Sequence, residues 1–140
     1  MPALRVQIAQ VTVNNLLPLY NTQLLHEYAQ FCGPAVVDFV REVKSWAKSK
    51  QLHGAKDGNL SSYSFTLLCL FYLQVEKDLP SLQKSAPSRM IQDLATSREF
   101  DAGFLSCGQV APNGRWSAYD TGRAVDLFIG FFAMFVLIPF

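Results

Sequence analysis

The segment from Phe65 to Leu73, FTLLCLFYL, constrains the fold of this chain more than any other. Its residues are apolar nearly all round a helix rather than along one stripe, which is typical of a helix in the middle of a core. Two serines and a tyrosine precede it, and either Ser61 or Ser62 is suited to cap a helix N-terminus. The sequence therefore predicts a buried helix from these serines to about Val75, with a hydroxyl-rich N-terminal end.

Two further helices are predicted before this one. Asn21 or Thr22 is suited to cap a helix that ends at Gly33-Pro34. Pro34 is in turn suited to the first position of a second helix, which runs to Lys50.

The second helix sorts its residues by type. Basic and acidic side chains fall on different flanks, beside one continuous apolar arc: Arg41, Lys44 and Lys48 are basic, Asp38 and Glu42 acidic, and Val36, Phe39, Val40, Val43, Trp46 and Ala47 form the arc. Basic pairs one turn apart are common on solvated helices, so this flank is either a solvated face or a site for a polyanion.

The first residues predict a strand. In LRVQIAQVTV the side chains of Leu4, Val6 and Ile8 alternate with polar ones, and three β-branched residues follow. No second convincing strand follows in the sequence. Because a lone strand cannot satisfy its own backbone, we expect a sheet in a missing domain or a partner chain to pair with it.

The second half of the chain is mixed. Prolines, glycines and serines dominate residues 76–115, which predicts a surface excursion with one short helix near Met90 to Thr96. Asp120 or Thr121 is then suited to cap a last helix through LFIGFFAMFVLI. That run is shorter than the about 17 to 25 apolar residues of a membrane span, so we expect a core helix and no membrane.

Composition excludes little. The net charge of +1 does not by itself indicate nucleic acid. Cys32, Cys69 and Cys107 form no CxxC pair, and no signal peptide is visible, which favours an intracellular protein without distinguishing cytoplasm, nucleus and mitochondrion. His26 and His53 have no partner at metal or catalytic-triad spacing.

One combination of residues indicates a ligand. Lys44 and Lys48 lie one helical turn apart and can present two ammonium groups to one polyanion. Serine hydroxyls at a helix N-terminus offer donors to an anion, and a neighbouring tyrosine can stack on a base. Together these features predict a pocket for a nucleoside triphosphate.

These residues also carry a family resemblance. The order VTVNNLLPLYNTQLLHEYA, VKSWAKSKQL and GNLSSYSFTLLCLFYLQ strongly resembles the noncanonical poly(A) polymerases and terminal uridylyltransferases. The resemblance covers about residues 6–82 and returns faintly at TGRAVDLFIGFFAMF, which is similar to a helix of the poly(A)-polymerase-associated region.

The resemblance implies a fold and its division. We expect a mostly α fold, an α+β fragment in which a helical central domain follows one strand of the catalytic palm. The implied parts are the last palm strand in residues 1–15, a helical nucleotide-binding core in 16–84, the surface excursion in 85–118, and the start of the poly(A)-polymerase-associated helix in 119–140.

The resemblance also implies an activity and its residues. In such enzymes an RNA 3′-hydroxyl attacks the α-phosphate of UTP or ATP with the help of Mg²⁺ or Mn²⁺. Lys44, Lys48 and Ser62 match residues that bind the triphosphate, Tyr63 matches the tyrosine stacked on the base, and Asn21 and Thr22 match positions that contact the ribose and the base edge.

Departures from the family leave a second interpretation open. Gln10 occupies the position of the third catalytic aspartate, and CGP replaces the DPR that usually opens the lysine-bearing helix. A neutral amide cannot supply the negative charge of a two-metal site. We therefore expect a chain truncated at both ends and inactive alone. The alternative is a noncatalytic helical module that docks on an active polymerase or another partner.

Overall fold

A computed structural model describes residues 15–54, 57–94, 96–110 and 122–137. It contains five helices and two short strands: α1 Leu17–Cys32, α2 Pro34–Ser49, α3 Ser62–Glu76, β1 Met90–Gln92, β2 Glu99–Asp101, α4 Cys107–Val110 and α5 Ala124–Leu137. The fold is mostly helical, as expected, and it also has a small antiparallel sheet. The predicted strand of LRVQIAQVTV, with Gln10, lies outside the described residues, as do the proposed caps Asp120 and Thr121.

Helix α1 begins earlier than its sequence predicts. Its first residue is Leu17, and the carbonyl of Leu16 accepts hydrogen bonds from the amides of Leu19 and Tyr20. Pro18 fits the first turn because its missing N–H would have no helical partner there. Asn21 and Thr22 are therefore inside the helix, and the prediction that one of them caps it is wrong.

The turn between α1 and α2 follows the predicted pattern. Gly33 has a φ of 77°, in the left-handed region that glycine adopts at low cost, and Pro34 opens α2. Helix α2 buries most of the predicted apolar arc, namely Val36, Phe39, Val43 and Ala47, while Val40 and Trp46 are half-buried. The basic and acidic flanks of α2 are not fully separate, because the Arg41 guanidinium forms an exposed ion pair with the Asp38 carboxylate at 3.2 Å.

Three aromatic rings join the longest helices. Phe39 of α2, Tyr72 of α3 and Phe131 of α5 form a triangle with ring centroids 5.8, 5.8 and 5.9 Å apart. All three side chains are buried. Tilted and edge-to-face pairs of this kind add about 0.5 to 1.5 kcal/mol each beyond the area they bury.

Buried hydrogen bonds fix the segment after α3. The hydroxyl of Tyr28 accepts a hydrogen bond from the Leu82 amide at 3.0 Å and another from the Gln74 side chain at 3.2 Å. Leu79 and Leu82 are buried in the same core. Helix α1 is thereby tied to α3 and to the segment that leaves it.

Helix α3 has one exposed apolar stripe. Phe65, Cys69 and Leu73 are buried, but Leu67, Phe71 and Val75 are 40%, 49% and 50% exposed. The prediction that α3 is buried on all sides is therefore wrong for this stripe. Residues four positions apart lie on the same face of a helix, and this face points away from the core. The capping prediction is confirmed, since Ser61 accepts a hydrogen bond from the Ser64 amide.

A β-hairpin replaces the short helix predicted near Met90 to Thr96. Strands β1 and β2 pair antiparallel, with Ile91 opposite Phe100, so the expectation that no second strand follows is also wrong. Asp101 closes the base of the hairpin, where its carboxylate accepts hydrogen bonds from the amides of Arg89 and Gly103 at 2.9 Å. These bonds hold the pKa of this carboxyl below its usual range.

Helix α5 packs on the core, as predicted. Leu127 and Phe131 are buried, and Trp46 of α2 contacts Phe132 with centroids 4.5 Å apart. Val125 and Ile129, on the opposite side of the helix, are exposed. Within the described ranges, none of the helices has the length and apolar character needed to cross a membrane.

Replacing Gly130 with alanine is expected to destabilise the fold. A Cβ at this position would overlap the Tyr72 hydroxyl, so α5 would have to move away from α3. We expect Gly130→Ala to lower the free energy of unfolding by about 1 to 3 kcal/mol in chemical denaturation.

Two variants control this experiment. A Cβ added at Gly108 would have no neighbouring atom within 4 Å, so Gly108→Ala should change the free energy of unfolding little. Tyr72→Phe in the Gly130→Ala background removes the overlapping oxygen and should recover part of the loss. Full stability of the single Gly130→Ala variant would show that the two helices are not in close contact here.

Candidate nucleotide-binding site

A closed loop joins the end of α2 to the start of α3, and α3 packs beside α2. Hydrogen bonds close that loop, from the Asn59 side chain to the Gln51 carbonyl and from the Gly54 amide to the Leu60 carbonyl. Four of the predicted site residues lie on α2 or at the start of α3, and the other two, Asn21 and Thr22, lie in the first half of α1.

The two lysines of α2 have different surroundings. Lys44 is half-buried and lines a groove together with Thr66 and Leu70 of α3. Its ammonium acts to lower the pKa of the Cys69 thiol, although burial dominates and raises that pKa to about 12. Lys48 lies one turn further along and is exposed. Lys44 is thus a neighbour of α3, and Lys48 points toward solvent near the helix end.

The start of α3 presents the predicted hydroxyls. Because Ser61 is the cap, Ser62 and Tyr63 are the first two residues of the helix, and both are half-buried. The Ser62 carbonyl accepts a hydrogen bond from the Thr66 hydroxyl at 3.0 Å. A helix N-terminus carries partial positive charge, so this end of α3 and the two lysines favour an anion together.

The two predicted site residues of α1, Asn21 and Thr22, have different surroundings. The Thr22 hydroxyl donates to the Pro18 carbonyl at 2.8 Å, which engages it within its own helix. Asn21 lines a small hollow of about 50 Å³ with the base of the hairpin, including Asp101 and Phe104. The Arg89 guanidinium lies 5.1 Å from the centre of the neighbouring Tyr20 ring and helps to hold the hairpin there.

Three hollows among the described residues do not unite the six. Lys44 lines the apolar groove and Asn21 lines the small hollow. Thr22, Lys48, Ser62 and Tyr63 line neither of these, nor a third hollow that is lined by Gln74, Ser81 and Gln109. Their assignment as a nucleotide site stays a prediction.

The described residues do not fit a metal centre. No group of three His, Cys, Asp or Glu side chains in the described ranges is placed to hold a metal ion. Gln10, at the expected position of a catalytic aspartate, lies outside those ranges. No step of catalysis by a metal can be derived from this part of the molecule.

Comparison with known proteins finds similarity to poly(A) RNA polymerases over about half of the chain. Poly(A) RNA polymerase GLD2 of Homo sapiens is 44% identical over 79 residues, which are 55% of this chain and 16% of that protein. Poly(A) RNA polymerase GLD2-B of Xenopus laevis is 42% identical over 79 residues, covering 55% of this chain and 15% of that protein. The matched part of this chain is homologous to a segment of the noncanonical poly(A) polymerases.

A nematode relative extends the match. Poly(A) RNA polymerase gld-2 of Caenorhabditis elegans is 36% identical over 99 residues, or 64% of this chain and 9% of that protein. The chain therefore spans only a small part of the curated relatives it matches. No family model matches it. No solved structure matches it either.

Two residues beside the site were not predicted to line it. Arg41, which the sequence places only on the basic flank, and Thr66 line the same groove as Lys44. Helical spacing could have indicated both residues, because residues three or four positions apart share a helix face. Arg41 lies three residues before Lys44, and Thr66 lies four residues after Ser62. The sequence could not show that α1 leaves a groove open between them.

Neighbouring serines at the start of α3 should separate a structural role from a binding role. Ser61→Ala removes the cap and is expected to lower the free energy of unfolding by about 1 kcal/mol. Ser62→Ala leaves the cap intact and should change stability by less than half as much. Thermal and denaturant unfolding measure both. Equal losses in the two variants would contradict the assignment of Ser61 as the cap.

Proposed function

We propose that this chain forms the nucleotide-binding portion of an RNA 3′-terminal nucleotidyltransferase. Homology to poly(A) RNA polymerases over 79 residues supports the class of enzyme. The observation that carries the proposal is the closed loop between α2 and α3, which joins the helix end that carries Lys48 to the helix start that carries Ser62 and Tyr63.

In this proposal each side chain has a separate task. The ammonium groups of Lys44 and Lys48 neutralise the triphosphate, and the start of α3 adds the Ser62 hydroxyl and the helix dipole. The ring of Tyr63 stacks on the base, which recognises its flat face but not its identity. Asn21 and Thr22 are proposed to contact the ribose and the base edge.

The proposed reaction is the attack of an RNA 3′-hydroxyl on the α-phosphate of the bound nucleotide. The name of the relatives, poly(A) RNA polymerase, favours ATP over UTP as the donor. Mg²⁺ or Mn²⁺ would be held by the palm of the complete enzyme. We further propose that the isolated chain is inactive, because Gln10 supplies an uncharged amide where an aspartate is implied.

Nucleotide titrations test this proposal. We expect Lys44→Ala and Lys48→Ala each to weaken ATP binding by about tenfold or more, since a charge-assisted hydrogen bond contributes roughly 1.5 to 3 kcal/mol. Tyr63→Ala should cost a similar factor, because stacking on a base contributes about 1 to 3 kcal/mol. Isothermal calorimetry with ATP and UTP measures both affinity and preference.

Lys50→Ala is the matched control. Lys50 lies just beyond the end of α2, is exposed and carries the same charge as the two site lysines. Its loss should leave nucleotide affinity within about twofold, as expected for an exposed charge. The proposed pocket would be refuted if none of the variants Lys44→Ala, Lys48→Ala and Tyr63→Ala weakened nucleotide binding.

The second candidate function is a noncatalytic module that docks on a polymerase or another partner. The exposed stripe of Leu67, Phe71 and Val75 on α3 favours it, because apolar side chains in a row on one helix face are typical of a contact surface.

Size-exclusion chromatography with light scattering tests this second candidate. If docking is obligatory, the isolated chain should self-associate, and Phe71→Glu should shift it toward the monomer. Glu76→Gln, an exposed change at the end of the same helix, serves as the control. A monomeric wild-type chain across the concentration range would count against obligatory docking.

A further inference from the structure

A groove runs between α1, α2 and α3, beside the proposed nucleotide end. We name it the α1–α2 groove. It has a volume of about 210 Å³ and its walls are mostly aliphatic; the lining residues are Leu25, Tyr28, Ala29, Cys32, Val36, Val37, Val40, Arg41, Lys44, Thr66 and Leu70. Val37 and Val40 are only half-buried, so part of this apolar wall is open to solvent.

The size of the groove limits its occupant. Sites for drug-sized ligands and cofactors measure about 300 to 1,000 Å³, which exceeds this volume. A groove of this size suits one large apolar side chain better than a whole cofactor. Of the six proposed nucleotide residues only Lys44 lines it.

The charges of the groove indicate the chemistry around that side chain. Arg41 and Lys44 are its charged lining residues, and no acidic residue lines it. Arg41 pairs with Asp38, whereas Lys44 forms no ion pair with a carboxylate of the described residues. The Arg41 pair is exposed on both sides, and exposed pairs of this kind exchange readily with other carboxylates.

The remaining polar groups offer little to another ligand. The Thr66 hydroxyl is engaged by the Ser62 carbonyl, and the Tyr28 hydroxyl is bonded inside the core. No lining aromatic ring is free to stack on a base, because Tyr28 is 3% exposed. The groove therefore offers an apolar slot and two cations, a combination that matches an apolar side chain with carboxylates beside it.

We propose that the α1–α2 groove is a docking site for a protein segment in which a leucine or phenylalanine is flanked by acidic residues. The apolar side chain enters between Ala29, Val37 and Val40, and the carboxylates meet Arg41 and Lys44 at the rim. The partner is recognised by charge and by one anchor side chain, so the site binds a short segment, and Lys44 is common to this groove and to the proposed nucleotide site.

Designed peptides test this docking site directly. The probes are ten-residue fluorescein-labelled peptides of alanine and glutamine with one central leucine or phenylalanine and two glutamates on each side. Fluorescence anisotropy should show binding to the full chain. Replacing the anchor with alanine should weaken binding at least about tenfold. Replacing the glutamates with lysines should abolish it.

Variants of the chain locate the binding. Ala29→Phe fills the groove and should abolish binding, and circular dichroism checks that the variant is folded. Arg41→Glu reverses a rim charge on an exposed side chain, so it does not put the fold at risk, and should weaken binding at least about threefold. Lys50→Glu makes the same change outside the groove and should leave peptide binding intact.

Several results would overturn the docking site. One is that the acidic peptides do not bind at concentrations up to about 1 mM. Another is that the lysine peptides bind equally well. A third is that the Ala29→Phe and Arg41→Glu variants both bind the acidic peptides as tightly as the unchanged chain. Amide NMR shifts at Val125 and Ile129 in place of Val36, Val37 and Val40 would also do so. Neither Ala29 nor Arg41 is a proposed nucleotide residue, so this failure is distinguishable from loss of ATP binding.

Discussion

The contact among Phe39, Tyr72 and Phe131 organises the described structure. Each ring comes from a different helix, and all three are within 6 Å of one another between centroids, at 5.8 to 5.9 Å. Because each ring contacts the other two, moving one helix separates two pairs at once. Gly130 permits this contact, since it leaves room for the Tyr72 hydroxyl beneath α5. The positions of α2, α3 and α5 thus depend on one another.

This arrangement leaves different tasks to the two sides of α2. Its buried side, with Phe39 and Val43, faces the aromatic core, while Arg41, Lys44 and Lys48 remain on the side toward α1 and solvent. The helix that holds the core together therefore also carries the cations of both proposed binding sites. A rigid support of this kind limits the entropy that the lysines lose when they meet an anion.

The agreement between sequence and structure differs from one element to another. Pro34 and Ser61 were read correctly, because a proline at a first helical position and a serine cap act through neighbouring backbone groups. Asn21 and Thr22 were misread as caps, since the amides of Leu19 and Tyr20 bond to Leu16 instead. The hairpin at residues 90–101 was missed because strands of three residues contain no usable period.

The same distinction between local features and contacts with distant segments applies to the candidate site. Residue spacing was enough to place Lys44 and Lys48 on one flank and the serines at a helix start, and it carried the family resemblance. It was not enough to place Asn21 against the hairpin or Arg41 beside the groove, because those neighbours come from distant parts of the chain.

The sequence alone determined that the four long segments are helices, where α2 and α3 start, and which family the chain resembles, because these properties depend on residues within a few positions of each other. Only the tertiary structure decided which side of α3 faces solvent, how the hairpin base meets α1, and that a groove remains open between α1 and α2. Those outcomes depend on the volumes and directions of side chains that meet across helices, which no local pattern contains.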